Sequence, residues 1–331
     1  MPLGWRGGYE EGHCHRLVSR RLGLATAAVL WLGAGKVLHA LSTLGPGGLA
    51  AILLWQLAVF IILAGAWRVL LPGAPFWLTV WGRLVREGGE TCLPFSEIGG
   101  LVFGTRAVML GGASLPRAAA SSLADMICEA AGLVPFILIG LGLLLARAPH
   151  NWLIWPLAGG LVLLLAGAGG GYLVRRRLAR LARGAVTRLL RPWTKSAPRE
   201  AEAIQAQTTK LLHDRPRLAL AALIHFLAWC AGAGNIWLAY HFLGAPVSPV
   251  AALGIESLLS SVLAVAFLVP AALGVQELAY IAIGGAFGVP PHLSLALSFI
   301  RRARDILIGA PALAIWQGVE ARRLRQQAKE A

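Results

Sequence analysis

Residues 248–289 read SPVAALGIESLLSSVLAVAFLVPAALGVQELAYIAIGGAFGV. The stretch is apolar, yet Pro270 divides it into two legs of roughly 17–20 residues. A proline inside a helix removes a backbone donor and clashes with the preceding turn, so one continuous helix is not expected. Each leg is either a separate span or one arm of a re-entrant hairpin, which protein or a wet cavity must surround. Residues 76–112, FWLTVWGRLVREGGETCLPFSEIGGLVFGTRAVMLGG, repeat the pattern around Pro94.

The rest of the chain sets those two stretches in a membrane. Of 331 residues, 57% are hydrophobic and 14% charged, with mean hydropathy +0.68. An ordinary globular domain is about 45–50% apolar and about 25% charged. So few charges cannot cover a soluble surface, which excludes a cytosolic globular enzyme, a disordered chain and a coiled coil. Apolar runs at 22–41, 48–71, 117–146, 152–174, 217–243 and 291–318 read as spanning helices. The first lacks a convincing small-residue cleavage site and another span follows closely, so it reads as an anchor rather than a removed signal. The expectation is an all-α polytopic membrane protein with about six spans and two proline-broken hairpins.

The net charge of +15 would suggest nucleic acid in a soluble chain, but here its placement speaks to topology. With both broken stretches as hairpins, the N-terminus (Arg6, Arg16, Arg20, Arg21), loop 175–217 and tail 319–331 share one side. They hold twenty Lys and Arg. The opposite connections, 42–47, 147–151, 244–249 and 289–291, hold one, Arg147. Both termini are therefore expected in the cytoplasm, in an inner (plasma) membrane. Opening 248–289 into two full spans leaves the C-terminus on the same side, so this rule does not separate the alternatives.

The whole of 1–331 reads as a single integral membrane domain. A first half, 22–174, carries hairpin 76–112; a second, 217–318, carries hairpin 248–289. Gly73-Ala74-Pro75 opens the first hairpin and Gly244-Ala245-Pro246 the second, while Pro116 and Pro290 begin the spans that follow. Span, turn, broken hairpin, proline, span recurs, and an inverted repeat would bring the broken helices together near the midplane. Between the halves, 175–216 is a basic amphipathic linker: RRRLARLARGAVTRLLRPW suits an anionic leaflet, or serves only as a topological signal. A basic cytoplasmic tail, 319–331, ends the chain.

Ionisable residues at membrane depth usually face a bundle interior or a wet cavity. In SFIRRARDILIG, Arg301, Arg304 and Asp305 share a helical face and Arg302 lies about 100° away. Asp125 and Glu129 share a face with Ser121 and Ser122 in the third span, and we expect these carboxylates to meet the arginine cluster. An excess of arginine suits an anionic headgroup, since guanidinium grips phosphate bidentately; a structural ion network is the competing reading. The hairpins add Glu90, Glu97, Arg106, Glu256 and Glu277, with Arg83 and Arg86 in the first leg. Glu97 and Glu277 follow the breaks, where a carboxylate can cap a helix start. Cys14, Cys92, Cys128 and Cys230 form no CxxC, and His13-Cys14-His15 reads as a polar N-terminal segment rather than a metal site. No metal or cofactor is expected.

The stretch LVPAALGVQELAYIAIGGAFGVPPHLSLALSFIRRARD resembles the lysylphosphatidylglycerol-synthase transmembrane, or flippase-like, family. Pro270, Leu273, Gly274 and Glu277 match its P-G-G-L-G-x-x-E pattern, followed by Gly288-Val289-Pro290 and a helix carrying Arg301. Ala271-Ala272 replaces the paired glycine, which makes the turn less permissive. Cys92-Leu93-Pro94 and Glu97-Ile98-Gly99-Gly100 are similar to the first repeat. More narrowly, the size, early break and arginine-rich middle loop resemble the HpnL-type membrane proteins associated with hopanoid biosynthesis.

The resemblance implies lipid movement by a flippase-like protein, with hairpin breaks at Pro94, Pro270 and Gly274. The groove would be formed by Glu97, Arg106, Asp125, Glu129, Glu256, Glu277, Arg301, Arg302, Arg304 and Asp305. No soluble aminoacyl-transferase domain and no GxxxxGK[ST] phosphate loop is recognisable. The three aspartates, 125, 214 and 305, are too far apart for a DDxxD site, so the chain is expected not to be an enzyme. A non-catalytic partner of a lipid-synthesis complex, or an enzyme acting on a polyprenyl-type lipid, are the alternatives. Expected partners are membrane lipids and lipid-biosynthesis enzymes, not nucleic acid.

Overall fold

The computed structural model describes the backbone of residues 8–92, 96–173, 175–190, 196–245, 247–266 and 274–330. Side chains are described from His39 onward, except at 96–98 and at scattered positions between 168 and 190 and beyond 323. Among the described residues every element is an α-helix: α1 Gly8–Leu70, α2 Phe76–Cys92, α3 Ser96–Leu110, α4 Leu115–Arg147, α5 Ile154–Leu173, α6 Arg175–Leu190, α7 Ala197–His213, α8 Arg215–Phe242, α9 Pro249–Val265, α10 Val275–Ala286 and α11 Pro291–Glu330.

Among the described residues, three stretches are long and apolar enough to cross a membrane: His39–Leu70 within α1, α4 and α8. They correspond to the expected spans 48–71, 117–146 and 217–243. The other three, 22–41, 152–174 and 291–318, fall largely in α1, α5 and α11. The apolar part of α5 is shorter, Ile154–Gly167, and α11 carries Arg301, Arg302, Arg304 and Asp305 in its interior. The connection expected at 42–47 is one residue: Gly45, at φ 71° and ψ 166°, breaks a helix that continues on both sides. Only a residue without Cβ adopts that conformation readily.

Residues 76–112 fold as an antiparallel pair, α2 against α3. A Cβ on Gly89 would lie 2.8 Å from the Gly100 Cα, and one on Gly82 would lie 2.6 Å from Val108; Gly111 faces Leu78. The facing residues run in opposite directions, Gly89 with Gly100, Gly82 with Val108 and Leu78 with Gly111. Small residues let the two backbones approach, the packing that holds helices together where lipid offers no hydrophobic drive. Across residues 248–289, α9 packs on α10, with Gly254 against Phe287. Pro94 and Pro270 lie outside the described residues.

The turns of the two halves match locally. Gly73 (φ 87°) and Gly244 (φ 73°) are left-handed in the two Gly-Ala-Pro turns. Gly112 (φ 100°) and Gly288 (φ 83°) are left-handed before the helices that follow each hairpin.

The helix α11 links both hairpins. A Cβ on Gly88 of α2 would lie 2.5 Å from the Gly309 carbonyl oxygen. Further along, the Phe103 ring centroid sits 4.7 Å from that of Trp316. On α10, Gln276 Nε2 donates to the Ser298 carbonyl at 3.1 Å. The end of α2 and the start of α10 therefore meet α11 within about two turns of each other, at Gly309 and Arg302. The largest core cluster joins α4, α8, α9, α10 and α11 around Phe136, Tyr240, Leu258 and Tyr280.

Candidate functional site

One charged cluster lies where α2 meets α4 and α8. Arg83, Arg86, Glu87 and Glu90 follow at helical spacing along one side of α2. The Arg83 guanidinium reaches Glu87 at 2.6 Å, Glu129 at 3.0 Å and Asp125 at 3.5 Å. The Arg86 guanidinium reaches Glu90 at 2.7 Å, and Asp125 and Glu129 at 2.9 Å each. His225 of α8 places Nε2 2.9 Å from the other Asp125 oxygen. Both guanidiniums, Asp125 and His225 are buried. The α4 face is held in place by Trp67 Nε1, which donates to Ser121 Oγ, and by Thr105, which donates to Ser122.

A second cluster lies on α9, α10 and α11. Arg301 Nη1 donates to both Glu256 oxygens at 2.9 Å, and to the Tyr280 hydroxyl at 3.4 Å. Arg302 Nη2 donates to Glu277 Oε1 at 2.8 Å. The other Glu277 oxygen accepts the Gly274 N–H at 2.8 Å, so this residue both caps α10 and holds an arginine. Gly274 sits at φ 78°. Arg304 pairs with Asp305 at 2.7 Å. Asn235, Glu256, Tyr280, Arg301 and Arg304 line a cavity of about 10 Å³, the size of one water molecule.

The structure corrects the expected partnership. Asp125 and Glu129 face Arg83 and Arg86, and do not pair with Arg301 or Arg304, whose acids are Glu256 and Asp305. Spacing of i, i+4 fixes which residues share a face but not which helix that face meets. Gly82, Gly88 and Gly89 pack α2 closely against α1, α3 and α11, and from that position its long arginine side chains extend to the α4 carboxylates. Arg106 stands apart, pairing with Glu320 of α11 at 2.6 Å. The side chain of Glu97 lies outside the described residues.

The sequence reading placed Arg83 and Arg86 in the first leg without giving them a site role, and it passed over Glu87 and His225. A signal for each was present. Arg83–Glu87 and Arg86–Glu90 are i, i+4 pairs, and His225 is an ionisable residue within an apolar span.

This combination of paired charges deep among apolar helices can be set beside known proteins. Residues 18–312 match the family described as the lysylphosphatidylglycerol synthase TM region. The chain belongs to this family. No curated protein and no solved structure matches it. Membership in the lysylphosphatidylglycerol synthase TM family, together with the apolar helices, makes this an integral membrane protein. Both clusters and both hairpins fall within the matched residues.

Proposed function

We propose that this protein moves an amphipathic or anionic lipid across the membrane, in the manner of a flippase, without enzymatic chemistry. One observation carries the reading: the ends of two hairpins meet α11 beside its half-buried Arg301 and Arg302 and its buried Arg304, in a member of a lipid-synthase membrane family. In this reading the hairpins are re-entrant and form an inverted repeat, as the matched left-handed turns support. The lipid tails stay in the bilayer while Arg301, Arg302 and Arg304 exchange carboxylate partners for a headgroup phosphate. Arg301 and Arg302 retain side-chain exposures of 18% and 17%, leaving an edge that a ligand can reach. Six spans, an inner-membrane location and cytoplasmic termini belong to the same proposal, as does a hopanoid-pathway lipid, suggested by the HpnL-type resemblance.

A second reading, a non-catalytic partner of lipid-synthesis enzymes, is favoured by the completeness of the pairing. Arg301, Arg302 and Arg304 each already have an acid, and the cavity lined by Arg301 and Arg304 is the size of one water.

Reconstitution in liposomes carrying fluorescent phospholipid, with an impermeant reductant outside, separates the two. Transport quenches more than the outer leaflet's share of label. Arg301→Met with Glu256→Gln removes the pair without stranding a charge, so folded yield should hold while transport falls. Full transport by that double variant overturns the headgroup role, and no transport by the unaltered chain favours the second reading.

A further inference from the structure

The membrane-embedded charges described above are paired; Arg180, Arg183 and Arg188 of α6 take part in no ion pair among the described residues. Arg180, Arg183, Gly184, Thr187 and Arg188 lie within one broad arc of α6. With Pro198 and Glu202 of α7 they line an open groove of about 560 Å³. Ligand pockets run about 300–1,000 Å³, so the groove has the volume for a phosphorylated headgroup. None of the three arginines makes an ion pair among the described residues, Glu202 included, and all three are exposed. Three like charges facing one open space repel unless an anion joins them.

Leu181, 62% exposed, and Ala185 lie beside that arc of α6. Leu181 and Arg188, seven residues apart, lie within about 20° of each other, so these apolar positions flank one edge of the groove. A helix sunk by its apolar positions into the headgroup boundary would hold the adjoining groove at phosphate level or just above it. Pro198 lies in the first turn of α7, where unpaired amides add partial positive charge.

We propose that the α6–α7 groove is a binding site for a phosphate-bearing anion, held by Arg180, Arg183 and Arg188 with the Thr187 hydroxyl. It is separate from the α11 cluster and independent of the transport reading. The phosphate belongs either to a lipid headgroup or to a soluble ligand.

The test uses the full chain in phosphatidylcholine nanodiscs. Calorimetric titration is made with dihexanoyl phosphatidic acid, inorganic phosphate and dihexanoyl phosphatidylcholine. Both phosphate-bearing anions should bind more tightly than the zwitterion, and more weakly as salt rises. Tighter binding of the phosphatidic acid assigns a lipid source; equal binding assigns a soluble one. The triple variant R180Q/R183Q/R188Q should lose about tenfold or more in affinity. K210Q/R215Q/R322Q removes the same charge from exposed positions outside the groove and should lose less than about twofold. Arg183→Gln alone, expected to lose about threefold, serves if the triple variant is poorly folded. Equal losses in the two triple variants, or binding no tighter than the zwitterion, overturn the proposal.

Discussion

The α2–α4–α8 cluster and the α9–α10–α11 cluster are built from the same residue types but differ in balance. Around α11, Arg301, Arg302 and Arg304 face Glu256, Glu277 and Asp305, one acid for each guanidinium. Around α2, Arg83 and Arg86 share Glu87, Glu90, Asp125 and Glu129, and His225 adds a contact to Asp125. The first arrangement consists of separable pairs. The second is a mesh in which each arginine bridges several carboxylates, so losing an arginine and losing an acid have unequal consequences.

The largest expected effect is therefore Arg86→Met. It removes contacts to Asp125, Glu129 and Glu90 at once and leaves Arg83 as the one guanidinium of the mesh among four carboxylates, at a cost near the upper end of about 3–5 kcal/mol for a broken buried pair. Arg301→Met strands only Glu256 and should fall at or below the lower end of that range, about 3 kcal/mol. Denaturant-driven unfolding in detergent measures both. Equal losses would mean that the mesh behaves as independent pairs.

Acid removal should reverse the ranking. Glu87→Gln leaves Arg83 its contacts to Glu129 and Asp125, so the expected change is below about 1 kcal/mol. Glu256→Gln leaves Arg301 with only a neutral amide and the Tyr280 hydroxyl, and should cost about 2–3 kcal/mol. A Glu87→Gln loss as large as that of Glu256→Gln would show that the four carboxylates around α2 are each required.

The smallest effect is expected at Arg106→Gln. Its side chain is 37% exposed, and its link to Glu320 is a partly solvated pair worth about 0–1 kcal/mol. A larger loss would make the α3–α11 contact a third anchoring point alongside the two clusters.

How much of this was legible in the chain differs between fold and site. Composition, apolar runs and the proline breaks pointed to an all-helical membrane protein, and the Gly-Ala-Pro turns marked where its hairpins begin. Glu277 was readable as a helix cap because it follows the Pro270 break, where a half-helix begins. Gly45 was harder to place: Gly-Pro reads as a loop, whereas the structure confines the break to one residue. The pairing of charges was the least legible. Asp125 and Glu129 were rightly set on one face, but they were matched to the wrong arginines because the reading had no distances between helices.

The sequence by itself determined which residues share a helical face, which segments suit lipid and where helices must break. Those properties depend on local backbone sterics and on transfer of side chains from water. Only the tertiary structure decided that the arginines of α2 reach the carboxylates of α4 while α11 receives its acids from α9, α10 and its own next residue. That choice rests on the close fit of glycines at the α2–α3 and α2–α11 contacts, together with the need of each buried charge for an opposite charge within hydrogen-bonding reach.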